Sequence, residues 1–140
     1  MPQEPKVGTA IIITKDDKVL LMKRKGPHGN GTWSTPGGHL NFGETPEQCA
    51  AREAREEVGL EVSDIRFRAV TNDIFEESER HYVTLWMEGG SFSGEPAIVA
   101  AQEVEEIGWF AWDSLPEPLF LPLENFVKKK NDLPGEESAS

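Results

Sequence analysis

Apolar positions fall into several short runs and one longer amphipathic stretch. VGTAIIIT, entered at Val7, and KVLLMKR, left near Arg24, are β-branched or apolar runs separated by Lys15-Asp16-Asp17, and they predict a two-stranded hairpin. GPHGNGT then reads as a loop, and Trp33 opens a short extended piece ending at Pro36-Gly37-Gly38. In IRFRAVTNDIF, Ile65, Phe67 and Ala69 alternate with Arg66 and Arg68, the period-2 pattern of a strand. HYVTLWM and EIGWFAW add two more strands, and Leu121 to Lys130 predicts a closing helix with Pro122 in its first turn.

The amphipathic stretch lies between the early and late strands. Thr45-Pro46-Glu47-Gln48 carries a helix start: Thr45 caps, Pro46 suits the first helical position, and Gln48 completes a capping box. Gly59 supplies the stop. At about 100° per residue, Ala50, Ala51, Ala54 and Val58 gather on one side, and Glu53, Glu56 and Glu57 share an adjoining stripe. Like charges at these spacings cost a few tenths of a kcal/mol per pair. One reading is a solvated acidic face. The other is a hard-cation site, in which converging carboxylates hold Mg²⁺ or Mn²⁺ and the ion removes the repulsion. Spacing alone does not choose between them.

The order is three strands, a helix, three strands, a helix, with no internal repeat. It predicts a single α/β (α+β) domain over 1–140 with a mixed sheet and flexible ends at about 1–5 and 131–140. The 140 residues carry 14 Lys and Arg against 25 Asp and Glu, a formal net charge of −11, which repels polymeric DNA or RNA. A small phosphorylated substrate remains admissible, because a bound divalent cation inverts the local field. The one cysteine, Cys49, cannot close an intrachain disulfide and fits a reducing compartment. Without an apolar signal core or a run long enough to cross a bilayer, the expectation is a cytoplasmic protein with no membrane partner. A homodimer suits small folds of this kind.

The motif that decides between the two readings of the stripe is GHLNFGETPEQCAAREAREEVGL from Gly38, of the form Gx5Ex7REUxEExGU with U apolar. It resembles the Nudix box. Gly38, Glu44, Arg52, Glu53, Glu56, Glu57 and Gly59 are fixed residue types, and a chance match to seven such positions is on the order of one in a million. Ala54 departs from the bulkier residue usual there, which bears on packing more than chemistry. KRKGPHGNGTWSTPGGHLNFGET, VTNDIF, HYVT and LPEPLFLPLENF extend the likeness to MutT-like nucleotide diphosphatases, including the plant Nudix hydrolase 1 type and the human thiopurine nucleotide diphosphatase type. The resemblance implies an α/β/α sandwich around a central mixed sheet. It also implies hydrolysis of a nucleoside diphosphate linked to another group.

Attack of water on a pyrophosphate requires neutralised phosphate oxygens and an activated nucleophile held in line. The resemblance makes Glu53, Glu56 and Glu57 the ligands of Mg²⁺ (or Mn²⁺), with Glu53 or a nearby carboxylate taking the proton. Arg52 becomes the partner that orients the acids; by itself it reads first as an ordinary helix salt bridge. Gly37 and Gly38 let backbone approach the metal and substrate. Glu44 steadies the loop, and Glu103, Glu105 or Glu106 is an open choice for a late carboxylate. Arg24 and His39 are candidate phosphate contacts. Trp33, Phe75, Tyr82 and Trp86 divide between base stacking and sheet core, with core the default. The expected reaction is Mg²⁺-dependent hydrolysis of a nucleoside triphosphate, oxidised or otherwise non-standard, to monophosphate and pyrophosphate. Its rivals are hydrolysis of an isoprenoid diphosphate and non-catalytic nucleotide binding.

Overall fold

The computed structural model describes residues 3–132, with eight strands and two helices: β1 (Lys6–Ile12), β2 (Thr14–Lys15), β3 (Lys18–Arg24), β4 (Trp33–Ser34), β5 (Gly37–His39), α1 (Pro46–Val58), β6 (Glu61–Phe75), β7 (Arg80–Ser93), β8 (Val104–Ala111) and α2 (Leu121–Asp132). Helix α2 therefore takes in residues 131 and 132. The rest of the expected loose ends, residues 1–2 and 133–140, lies outside the described residues.

The strands are shared between two sheets. One is mixed, in the order β5-β1-β7-β6, with β1 parallel to β7 and its other pairs antiparallel. In the second, β3 pairs antiparallel with β2, β4 and β8. The expected hairpin between the first two long runs is therefore corrected. Both edges of β1 are already occupied, by β5 and β7, so no ladder is left for β3. The chain leaves β1 after Ile12, and β3 instead pairs with two-residue β2 across a turn in which Asp16 and Asp17 adopt φ of 52° and 65°. Aspartate tolerates this left-handed region better than most residues, which suits a tight hairpin turn.

Period-2 alternation places apolar side chains on both faces of β1, so it is a central strand covered on two sides. Ile11 and Ile13 join Leu20, Ala50, Ala54, Val58, Leu60 and Met87 in the core under α1. Ala10 and Ile12 join Val19, Leu21, Trp33, Trp86, Leu123 and Phe126 in the core under α2. Helices thus cover opposite faces of the strands, giving the α/β/α layering. Fully burying each large aliphatic side chain contributes roughly 1.5–3 kcal/mol. Small Ala50 and Ala54 let α1 lie close to the sheet, which fixes the distance of its acidic edge from β5.

The terminal signals of α1 operate as read. Thr45 Oγ1 accepts from the Gln48 amide at 3.1 Å, the Gln48 side chain accepts from the Thr45 amide at 2.9 Å, and Gly59 closes the helix at φ 73°. No described helix is long and apolar enough to cross a membrane.

Candidate active site

The turn into β5 presses against both β1 and α1. A Cβ at Gly37 would overlap the Thr9 carbonyl, so the position needs glycine, and one at Gly38 would push against the Glu53 carboxyl group. This close approach lets the Gly37 amide donate to Glu57 Oε1 at 2.9 Å.

Arg52 organises the rest of the helix edge. Its Nε and Nη2 donate to the two oxygens of Glu44 at 2.6 and 3.1 Å, and Nη1 donates to Glu53 Oε2 at 2.9 Å and Glu56 Oε1 at 3.1 Å. Nη2 also reaches the His39 carbonyl at 3.1 Å. One planar guanidinium thus ties the loop before α1 to the stripe, a geometry a lysine cannot reproduce. The hydrogen bond from Arg52, helped by the Asn41 amide, holds the Glu44 carboxyl down to about 2. Arg52 itself is held more firmly cationic, first by its bond to Glu44.

Glu57 is in the opposite situation. It is only 5% exposed, and burial, followed by the neighbouring Glu53 charge, pushes its carboxyl up to about 8. Burial also raises Glu53. Both line a cavity of about 400 Å³ together with Arg52, Gly37, Gly38, His39 and Arg24. Glu56 does not line it; its side chain is 57% exposed and turned to Arg52. Among the described residues no three acidic, histidine or cysteine side chains close on one point. The oxygens of Glu53 and Glu57 nevertheless fit a hard divalent cation, since buried Glu57 faces a second carboxyl group with only the Gly37 amide and the pull of Arg24 to offset it.

The remaining candidates separate. Glu103 lines the cavity, whereas Glu105 and Glu106 are exposed outside it. Arg24 is half-buried, with Nε donating to the His28 carbonyl at 3.2 Å and its guanidinium 3.8 Å above the Phe120 ring. Burial lowers its pKa, against the pull of Glu57 and Glu103. His39 is exposed and meets Tyr82 Oη at 3.3 Å; burial of its ring, then Lys6, lowers its pKa. Trp33 and Trp86 belong to the core, although Trp86 also borders the cavity, while Phe75 and Tyr82 form part of its wall.

Two wall residues were not singled out by the sequence. His28 packs 4.7 Å from Phe75, 5.8 Å from Tyr82 and 5.3 Å from Phe120, and burial followed by Arg24 holds it down to about 4, so it is a neutral ring. Neither His28, in a glycine-rich loop, nor Phe120, in a proline-rich one, sits in a periodic run that would have marked it. The cavity thus has a carboxylate end and an aromatic wall joined by Arg24.

Comparison with known proteins matches residues 4–130 to the NUDIX domain. The NAD-capped RNA hydrolase NudC of Pseudomonas aeruginosa is 35% identical over 116 residues, 81% of this chain and 40% of that protein. The chain therefore spans about 40% of the length of such relatives. An ADP-ribose pyrophosphatase of Methanocaldococcus jannaschii is 31% identical over 116 residues, 83% of this chain and 68% of that one. The crystal structure of a MutT NUDIX hydrolase from Burkholderia pseudomallei superposes with a TM-score of 0.82 at 35% identity, covering 88% of this chain and 98% of the other.

Proposed function

The chain belongs to the Nudix family, and from that premise we propose that it hydrolyses the phosphoanhydride of a nucleoside triphosphate, standard or modified, to monophosphate and pyrophosphate with Mg²⁺ as cofactor. The observation that carries this reading is one cavity lined by the buried carboxyl group of Glu57 and the partly buried one of Glu53, together with Arg24 and an aromatic wall. Its volume of about 400 Å³ lies toward the small end of ligand sites, which suits one nucleotide better than two joined end to end.

Glu53 and Glu57 would hold the divalent ion, with Glu56 available from the exposed side of the same stripe. When bound, the ion supplies charge neutralisation at the phosphates and lowers the pKa of a coordinated water. Arg52 keeps Glu53 aimed by pairing with its Oε2. Glu103, which lines the cavity, would be the late carboxylate that accepts the proton of the attacking water, in competition with Glu53. Arg24 meets the phosphate oxygens, and the neutral His28 with Phe75, Tyr82 and Phe120 stacks the base. His39, Gly37 and Gly38 shape the phosphate end.

The names of the relatives add ADP-ribose and NAD-capped RNA as rival substrates. The net charge of −11 weighs against an RNA chain. Presence of the whole glutamate stripe weighs against a non-catalytic binding module. Incubation with nucleoside triphosphates, ADP-ribose and geranyl diphosphate, with and without Mg²⁺, should release pyrophosphate and monophosphate from a triphosphate only when the ion is present. Preferred cleavage of geranyl diphosphate or ADP-ribose, or equal release without the ion, overturns the reading.

A further inference from the structure

Two hydroxyls that line the cavity are unused in the reaction as described. Ser34, on β4, is 4% exposed, and its Oγ finds no hydrogen-bond partner among the described residues. Thr84, on β7, is 6% exposed, and its Oγ1 donates to Asp73 Oδ2 at 2.5 Å. The two come from different sheets and line the same cavity.

The hydrogen bonds behind Thr84 run in a fixed direction. Asp73 is 0% exposed, and its oxygens accept from Thr84, from Thr71 Oγ1 at 3.2 Å and, at Oδ1, from Asn125 Nδ2 at 2.9 Å. Thr71 in turn accepts from Trp86 Nε1 at 2.9 Å. A hydroxyl has one hydrogen, and that of Thr84 is committed to Asp73. Toward the cavity Thr84 therefore offers lone pairs alone. Ser34 keeps both roles free, and a buried hydroxyl without a partner carries a desolvation cost that a polar ligand edge would remove.

We infer that Ser34 and Thr84 read the ligand's buried edge, with Thr84 locked as an acceptor by Asp73, so that the site selects a nucleobase presenting an N–H donor beside a second polar atom for Ser34. This rests on the nucleotide reading of the same cavity. It separates nucleotides from isoprenoid diphosphates on physical grounds, because a hydrocarbon tail would leave both hydroxyls unsatisfied. Asp73 is a positioning residue: it acts through Thr84. An asparagine in its place would bring donors as well as acceptors, which frees the Thr84 hydrogen to turn.

The test is calorimetric titration with inosine 5′-monophosphate, whose ring N1 carries a hydrogen, and purine riboside 5′-monophosphate, whose N1 carries a lone pair. Wild type should prefer the first by about 10- to 100-fold, the range of one well-made buried hydrogen bond. Thr84→Val should bring that ratio to within about threefold, Thr84→Ser should restore it, and Asp73→Asn should relax it. Ser34→Ala should shrink the ratio without lowering the melting temperature of the free protein, since it breaks no bond there. An unchanged ratio in Thr84→Val and Asp73→Asn, a wild type indifferent to the two bases, or a wild type that binds neither overturns the inference. Hydrolysis of the two triphosphates is read separately. Selective binding without cleavage would end the catalytic reading and leave base selection standing, whereas cleavage without selectivity would do the reverse.

Discussion

Glu57 and Asp73 are both carboxyl groups removed from water, at 5% and 0% exposure, and both serve the same cavity, one on its lining and one a hydrogen bond behind it. Asp73 is surrounded by three neutral donors from Thr71, Thr84 and Asn125. Glu57 accepts from the Gly37 amide while facing the charge of Glu53, and its carboxyl is pushed up to about 8. The difference separates two uses of a buried carboxyl group. One is satisfied within the fold and holds neighbouring hydroxyls in direction; the other is left short of countercharge and is suited to a cation that arrives from solution.

The largest expected effect tests the unsatisfied member. Glu57→Gln should lower turnover about 10³-fold or more, read as pyrophosphate release, while the metal-free protein melts no lower than wild type above neutral pH. Wild-type-like rates from that variant would remove Glu57 from the chemistry.

The same residue makes the metal-free fold sensitive to pH. Its folded-state value, about 8, lies above the ordinary 4.5, so between these values the native state holds a proton that the unfolded chain has lost. Its contribution is fully present below about pH 4.5 and is lost as pH rises through about 8, on the order of 5 kcal/mol in all. Urea unfolding of wild type against Glu57→Gln across that window should isolate the slope, and saturating Mg²⁺ should flatten it. A difference between the two proteins that stays constant with pH would contradict the assignment.

Asp73→Ala, which strips the acceptor from three buried donors, should cost about 2–4 kcal/mol of stability by urea unfolding, in contrast to the benign Glu57→Gln. Equal stability of Asp73→Ala and wild type would erase the contrast. Arg52→Lys is expected to be milder still for the fold, and to lower turnover about 10- to 100-fold, because a point charge cannot hold Glu44, Glu53 and Glu56 together. A lysine variant with full activity would show that aiming Glu53 is unnecessary.

What was legible in the sequence was local. Thr45, Pro46, Gln48 and Gly59 fix the ends of α1 through contacts within a few residues, and the spacing of Glu53, Glu56 and Glu57 follows from the helix itself. The pairing of β1 was not legible: its partners β7 and β5 arrive later in the chain, and two adjacent apolar runs look like a hairpin whichever sheet they join. Alternation likewise marked Phe75 and Tyr82 as facing one side of their strands without saying whether that side was core or cavity. Arg24 and Phe120 meet only because β3 and the loop before α2 converge in space. Asp73 did leave a trace, sharing a strand face with Thr71 and Phe75, where an acidic residue between a β-branched residue and an aromatic one signals a satisfied buried group.

Calorimetric titration of Mg²⁺ at pH 7, repeated in two buffers of different ionisation enthalpy, tests most directly that Glu53 and Glu57 hold a cation. The account predicts uptake of the ion with release of close to one proton, from Glu57, and loss of both signals in Glu57→Gln. No uptake by wild type even with a non-hydrolysable nucleotide present, or equal uptake and equal proton release in the variant, would contradict it.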